Sequence, residues 1–189
     1  MTPALLRRLE SAGTAALQCL VVLLGLSAWV MEAAGAFGQS GESERTAPRC
    51  LNCHPAGDRP TQTDRMTPHR PMVIRGADGH GAPGLPCNAC HHAANDEESG
   101  APGNAEWRLA PASMAWAGRS LGEICRQMTD RARNGNLDQA ALLKHVSENK
   151  LVGWAWAPGG KRMPAPGTQA GFGALMRAWF ESGAVCPAD

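Results

Sequence analysis

The sequence contains no tyrosine and only three phenylalanines in 189 residues, so aromatic side chains cannot supply most of a core. An excess of one charge is also missing: 18 Lys and Arg stand against 17 Asp and Glu, a formal net charge of +1. A nucleic-acid partner therefore has no electrostatic support. Charged residues are not themselves scarce, and at 19% the chain does not have the composition of a disordered protein. What abounds is glycine and proline, 22 and 14 residues, which break regular elements and predict a loop-rich chain. A chain of this kind needs a staple, such as a metal, a cofactor or disulfides. Its seven cysteines indicate where the staples lie.

The length suits one domain with appendages. At the N-terminus Arg7 and Arg8 form a short basic region, followed by an apolar run from Ala15 to Met31. Glu32 ends the run, and Ala34-Gly35-Ala36 offers a small-x-small cleavage site. Residues 1–36 are expected to be a secretory signal peptide. The alternative is an uncleaved N-terminal membrane anchor, because the run at residues 15–31 approaches the ~20 residues that span a bilayer. Either reading exports the body of the chain to the periplasm. Residues 37–47 are small and polar, a flexible linker.

From Pro48 to about Ala117 no helical or alternating period is sustained, and only Met72-Val-Ile-Arg75 suggests a brief strand. From residue 118 to 189 the chain reads as a helical region of the same domain. Ser120 and Glu123 form a capping box, and Leu121, Ile124, Cys125 and Met128 follow as an amphipathic stripe. Asn136 is expected to cap a second helix running from Leu137 to about Glu148. Thr168 caps a third, with Phe172, Leu175, Met176 and Trp179 on one face and Gly183 as the stop.

Four of the cysteines fall in two C-x-x-C-H motifs, Cys50–His54 and Cys87–His91. Positions i, i+3 and i+4 share one face of a helical turn. Two thiols can thus bond the vinyl groups of a haem while the imidazole reaches its iron from the same side. The expected cofactors are two covalent haem c groups, held by Cys50, Cys53 and His54 and by Cys87, Cys90 and His91. A zinc ribbon is the competing use of paired C-x-x-C. Its pairs are usually ~15–20 residues apart, far closer than Cys53 and Cys87, and it does not explain a His after each pair.

The sixth iron ligands are open on this reading. His69 lies in a loop between the motifs, and His145 on the second helix suits a solvated surface as well as ligation. His92 adjoins a proximal ligand and cannot reach the opposite face, and Met114 is the best-placed thioether. Beyond Cys19 in the targeting segment, Cys125 and Cys186 remain. Cys125 in mid-stripe would suit a buried free thiol, but an exported compartment favours a disulfide between the two.

Several stretches carry a resemblance: His69-Arg-Pro-Met-Val-Ile-Arg-Gly76, the second C-x-x-C-H motif, Trp107-Arg-Leu-Ala-Pro111, the segment Glu123–Gly135, Gly153-Trp-Ala-Trp156, and Gly183-Ala-Val-Cys-Pro187. In these the chain resembles the small exported di-haem cytochromes named isoquinoline 1-oxidoreductase subunit, which accompany molybdenum hydroxylases. The resemblance implies that His69 and His145 stand where that family has histidine, and that Cys125 and Cys186 match its remaining cysteines. Arg108 stands where the family often has a His, which removes that position as a ligand. The expected fold is mostly α, a loop-rich di-haem cytochrome c with short helices packed around two haems. The expected function is electron transfer, with no catalysis of its own, from a partner dehydrogenase to a respiratory acceptor. A di-haem peroxidase would need one iron with an open or displaceable sixth site. A haem-based redox or gas sensor is the other alternative.

Overall fold

The computed structural model describes residues 47–189, so the targeting segment and all but the last residue of the linker lie outside the described residues. The first element is α1 (Pro48–Cys53), followed by the strands β1 (Thr61–Gln62), β2 (Thr67–Pro68), β3 (Gly81–Ala82) and β4 (Leu85–Pro86). Short 3₁₀ turns follow at Cys87–Ala89 and Ala112–Met114. Then come α2 (Leu121–Thr129), α3 (Gln139–Glu148), α4 (Lys150–Gly153), a 3₁₀ turn at Trp154–Trp156, and α5 (Gln169–Glu181). The strands pair only as two small antiparallel hairpins, β1–β2 and β3–β4. Short helices joined by long loops therefore make the fold, and no sheet forms a layer among the described residues.

The C-terminal helices follow their local chemistry. Ser120 Oγ accepts the Glu123 amide at 3.0 Å and Glu123 Oε2 accepts the Ser120 amide at 2.9 Å, closing the capping box of α2. Thr168 caps α5 through the Gly171 amide at 3.0 Å. Beyond α5, Gly183 takes a left-handed φ of 100°. The second helix begins later than its sequence suggests. The Leu137 amide donates to Asn134 Oδ1 at 2.8 Å, and Asn134 Nδ2 donates to Met128 O and Leu137 O at 2.7 and 3.0 Å. This turn consumes the first amide and leaves Asn136 left-handed, with φ 64°. Asp138 is the cap instead, accepting the Ala141 amide at 2.8 Å.

No strand forms at Met72–Arg75. Nothing runs alongside it to pair, and its apolar side chains turn outward, Met72 and Ile74 being 72% and 43% exposed. Only Arg75 is tied in, its amide donating to Asp58 O and its carbonyl accepting from Gly81 N, both at 2.8 Å.

The core lies between α2, α3 and α5, where Ile124, Cys125, Met128, Leu142, Val146, Met176 and Trp179 pack with Met114. Cys125 and Cys186 meet at disulfide distance, with their Cα atoms 5.6 Å apart, and pin the end of the chain to α2. A smaller cluster joins Ala47 to Ala155 and Ala165, so the chain is already buried at the end of the linker. Among the described residues no helix is long and apolar enough to cross a membrane.

Candidate functional site

The main core is hollow. Met114, Ile124, Met128, Leu142 and Val146 belong to the apolar cluster and also line a cavity of about 710 Å³. The first C-x-x-C-H motif lines the same cavity. Pro48 opens α1 with its φ preset and no amide to satisfy, and the single turn that follows presents Cys50, Cys53 and His54 to the cavity. Leu51, on the other side of the turn, is buried. His145 faces the same cavity from α3, on the stripe that buries Leu142 and Val146. It is half-buried, not a surface histidine, and its pKa is lowered by burial and by the Arg108 charge, against the pull of Glu106.

His54 is held on three sides. Its carbonyl accepts the amides of Trp116 and Ala117 at 3.0 and 3.2 Å. Its ring stacks on Trp116, with centres 3.6 Å apart and planes within 10°. Its Nδ1 lies 2.7 Å from the Met114 carbonyl. A carbonyl oxygen can only accept, so Nδ1 carries the proton and the neutral ring keeps its lone pair at Nε2. Burial pushes the His54 pKa down to about 4 against that hydrogen bond, and the charges of His145 and Arg75 add to the effect. The imidazole is thus a neutral donor at ordinary pH. Burial likewise pushes the Cys53 thiol up to about 11, opposed by Arg49 and reinforced by Cys87.

The second motif repeats the arrangement with other parts. The β3–β4 hairpin delivers the chain to the 3₁₀ turn, where the Cys90 and His91 amides both return to the Cys87 carbonyl, at 3.2 and 2.9 Å. His91 stacks on Trp107, with centres 4.6 Å apart and planes within 10°. Its Nδ1 lies 2.6 Å from the Pro102 carbonyl, so Nε2 is again the free lone pair. Burial lowers its pKa too, against the Pro102 hydrogen bond, with the His69 charge adding to the effect. Pro102 sits there because Gly103 packs where no side chain fits. A Cβ on it would lie 1.9 Å from the Ala94 carbonyl oxygen. Asn95 secures the same loop, accepting the amide of Gly103 at 2.9 Å and the indole of Trp154 at 3.0 Å.

His69 lies across from His91, their ring centres 5.9 Å apart and their planes 58° apart. Two imidazoles sharing one metal ion at about 2 Å from each nitrogen have ring centres about 6 Å apart. His69 Nδ1 lies 3.0 Å from the Pro71 carbonyl, and Arg59 Nη2 donates to the His69 carbonyl at 2.6 Å. The structure thus brings His69 to the second motif and His145 to the first. Met114 joins the first motif through its backbone, behind the His54 ring. The four motif cysteines do not converge as a zinc ribbon would. Among the described residues no three His, Cys, Asp or Glu side chains close on a metal-sized site.

Trp116 and Trp107 beneath the motif histidines, the carbonyls of Met114 and Pro102, and the buried Arg49 and Arg75 have no assigned role in the sequence reading. The one sequence signal for them is tryptophan richness, six residues in a chain without tyrosine. Comparison of the chain with models of protein families, with curated proteins and with solved structures finds no match.

Proposed function

We propose that the chain is an exported di-haem c-type cytochrome that carries single electrons between a dehydrogenase, of molybdenum hydroxylase type, and a respiratory acceptor. The observation that carries this reading is a construction made twice. In each C-x-x-C-H motif the histidine donates Nδ1–H to a backbone carbonyl and lies flat on a tryptophan. Metal-bound histidines are oriented in this way, the outer hydrogen bond fixing tautomer and ring plane and raising the basicity of the free nitrogen. A zinc ribbon or a redox dithiol gives no reason for the arrangement.

The residues fit the cofactor. At the first motif the cavity falls within the ~300–1,000 Å³ usual for cofactor sites. Cys50 and Cys53 would hold the haem covalently, His54 Nε2 would ligate the iron, and the apolar walls of α2, α3 and α5 would exclude water from it. His145, which lines the same cavity, would be the sixth ligand on this reading. Met114 is less suited, because its carbonyl binds His54 Nδ1 and so its backbone lies on the side of the ring away from Nε2. At the second motif Cys87 and Cys90 would hold the haem, with His91 and His69 as the two axial ligands. Bound iron supplies the chemistry, taking up and returning one electron at a time. With His145 and His69 as sixth ligands, neither iron would have the open site that a peroxidase or a gas sensor requires.

Protein matured with the haem-attachment machinery is expected to gain the mass of two haems and to keep them under denaturing conditions. Its spectra are expected to be low-spin in both oxidation states and indifferent to carbon monoxide and peroxide. One haem or none would overturn the assignment, and a response to either ligand would favour the sensor or the peroxidase.

A further inference from the structure

Among the described residues four buried side-chain atoms lack a hydrogen-bond partner: Arg49 Nε, Arg75 Nε, Trp116 Nε1 and Gln127 Oε1. The first three belong to residues lining the cavity of the first motif, and all three are N–H donors. Arg49 and Arg75 are only 4% and 6% exposed, and buried donors of this kind are rarely left unmet in native proteins. Three of their other nitrogens are already engaged. Arg49 Nη2 bonds Asp64, Arg75 Nη1 bonds the Ala110 carbonyl, and Arg75 Nη2 donates to Gly57 O at 3.0 Å. The counter-ions are largely exposed: Asp64 and Asp58 are 40% and 72% exposed, and the Asp58 carboxylate, which also borders the cavity, forms an ion pair with Arg75 Nε at 3.5 Å that is not a hydrogen bond. Two guanidinium groups and an indole N–H therefore border a mostly apolar cavity with three N–H donors that no acceptor hydrogen-bonds.

We propose that Arg49, Arg75 and Trp116 form a carboxylate-binding edge of this cavity, receiving the propionates of the haem held by Cys50, Cys53 and His54. This rests on the di-haem reading above. Planar guanidinium forks suit carboxylates, and a charged acceptor makes the stronger hydrogen bond in a site of low dielectric. The edge would fix the rotation of the macrocycle in its slot. Cations next to it disfavour the more positive, oxidised iron, and so hold the potential of that haem up.

The test uses the full chain matured with haem carrying ¹³C at the propionate carboxyls, and follows R49K, W116F and R75Q. Redox-difference infrared spectra are expected to show the labelled carboxylate bands of one haem shifted in each variant. Potentiometry is expected to show a lowered midpoint for that haem in R75Q and an unmoved second haem. R49K keeps the charge and W116F keeps the stack on His54, so these two decide the matter if R75Q does not fold. Labelled bands identical to those of the parent in both would overturn the proposal and assign the donors to water. A parent chain lacking covalent haem would fail the di-haem reading itself, a different outcome from attached haems whose carboxylates ignore the variants.

Discussion

Removing the Cys125–Cys186 link, by Cys125→Ala together with Cys186→Ala, offers the most calculable test of how the cavity is held shut. The two residues are 61 apart in sequence, and the chain between them carries α3, α4 and α5, and with them His145, Trp154 and Phe172 of the cavity wall. In the chain-entropy description, opening a loop of that length costs about 4 kcal/mol at 25 °C. Cys125 is fully buried among Ile124, Met128 and Met176, so the lost sulfur adds a packing cost of about 1 kcal/mol. The sum is a large share of the ~5–15 kcal/mol typical of a folded domain, and corresponds to roughly 10–20 °C in Tm. The loops that haem attachment would close, Cys50–Cys53 and Cys87–Cys90, are short and lie outside the 125–186 interval, but Ile124, Met128 and His145 line the cavity of the first motif, so the two kinds of staple are expected to be coupled there. Denaturant unfolding of the holoprotein, followed by far-UV circular dichroism and by tryptophan emission, measures the loss. With both haems kept reduced throughout, opening the disulfide with a reductant should destabilise the parent by nearly the same amount and leave the double variant unchanged. A loss below about 1 kcal/mol with an unaltered denaturant slope would refute the loop argument and point to structure retained in the unfolded chain.

His69→Ala and His145→Ala are each expected to turn one haem, and a different one, high-spin while both stay covalently attached, whereas Met114→Leu should leave both low-spin. An optical spectrum unchanged in either histidine variant would return that residue to a purely packing role. Gly103→Ala drives a methyl into the Ala94 carbonyl and must shift Pro102 away from His91. It is expected to cost roughly 1–3 kcal/mol in unfolding experiments and to perturb only the second haem. Equal changes at both haems would mean a global loosening instead.

The parts of this protein that are legible in its sequence are those whose physics is local. A Cys, a Cys and a His at i, i+3 and i+4 share a face wherever one helical turn forms, so both C-x-x-C-H motifs are legible without any knowledge of the fold. The capping box at Ser120–Glu123 and the Thr168 cap act across three residues, and both helices start where those residues place them. Reading fails where two local groups compete for one partner, or where the partner is distant in sequence. Asn136 loses its capping role because Asn134 binds the Leu137 amide first. Met72–Arg75 has strand composition, yet a strand needs a neighbour and none runs beside it.

The site itself was decided by tertiary structure. Met114 O holds His54 from sixty residues away, and a backbone carbonyl is present at every residue, so no residue type marks it as a partner. Trp116 and Trp107 become stacking plates only once the loops carrying them fold back over the motifs. Arg49 and Arg75 look like surface charges in the sequence, and it is burial at 4% and 6% exposure that makes their unmet N–H groups informative. The resemblance singles out His69 and His145 as candidate distal ligands, with Met114 as the alternative, but only packing sets the first 5.9 Å from His91 and the second on the cavity that His54 also lines. Residue chemistry alone determined what could be attached and where. The approach of residues far apart in the chain, set by burial and by backbone hydrogen bonds, decided which side chains surround it.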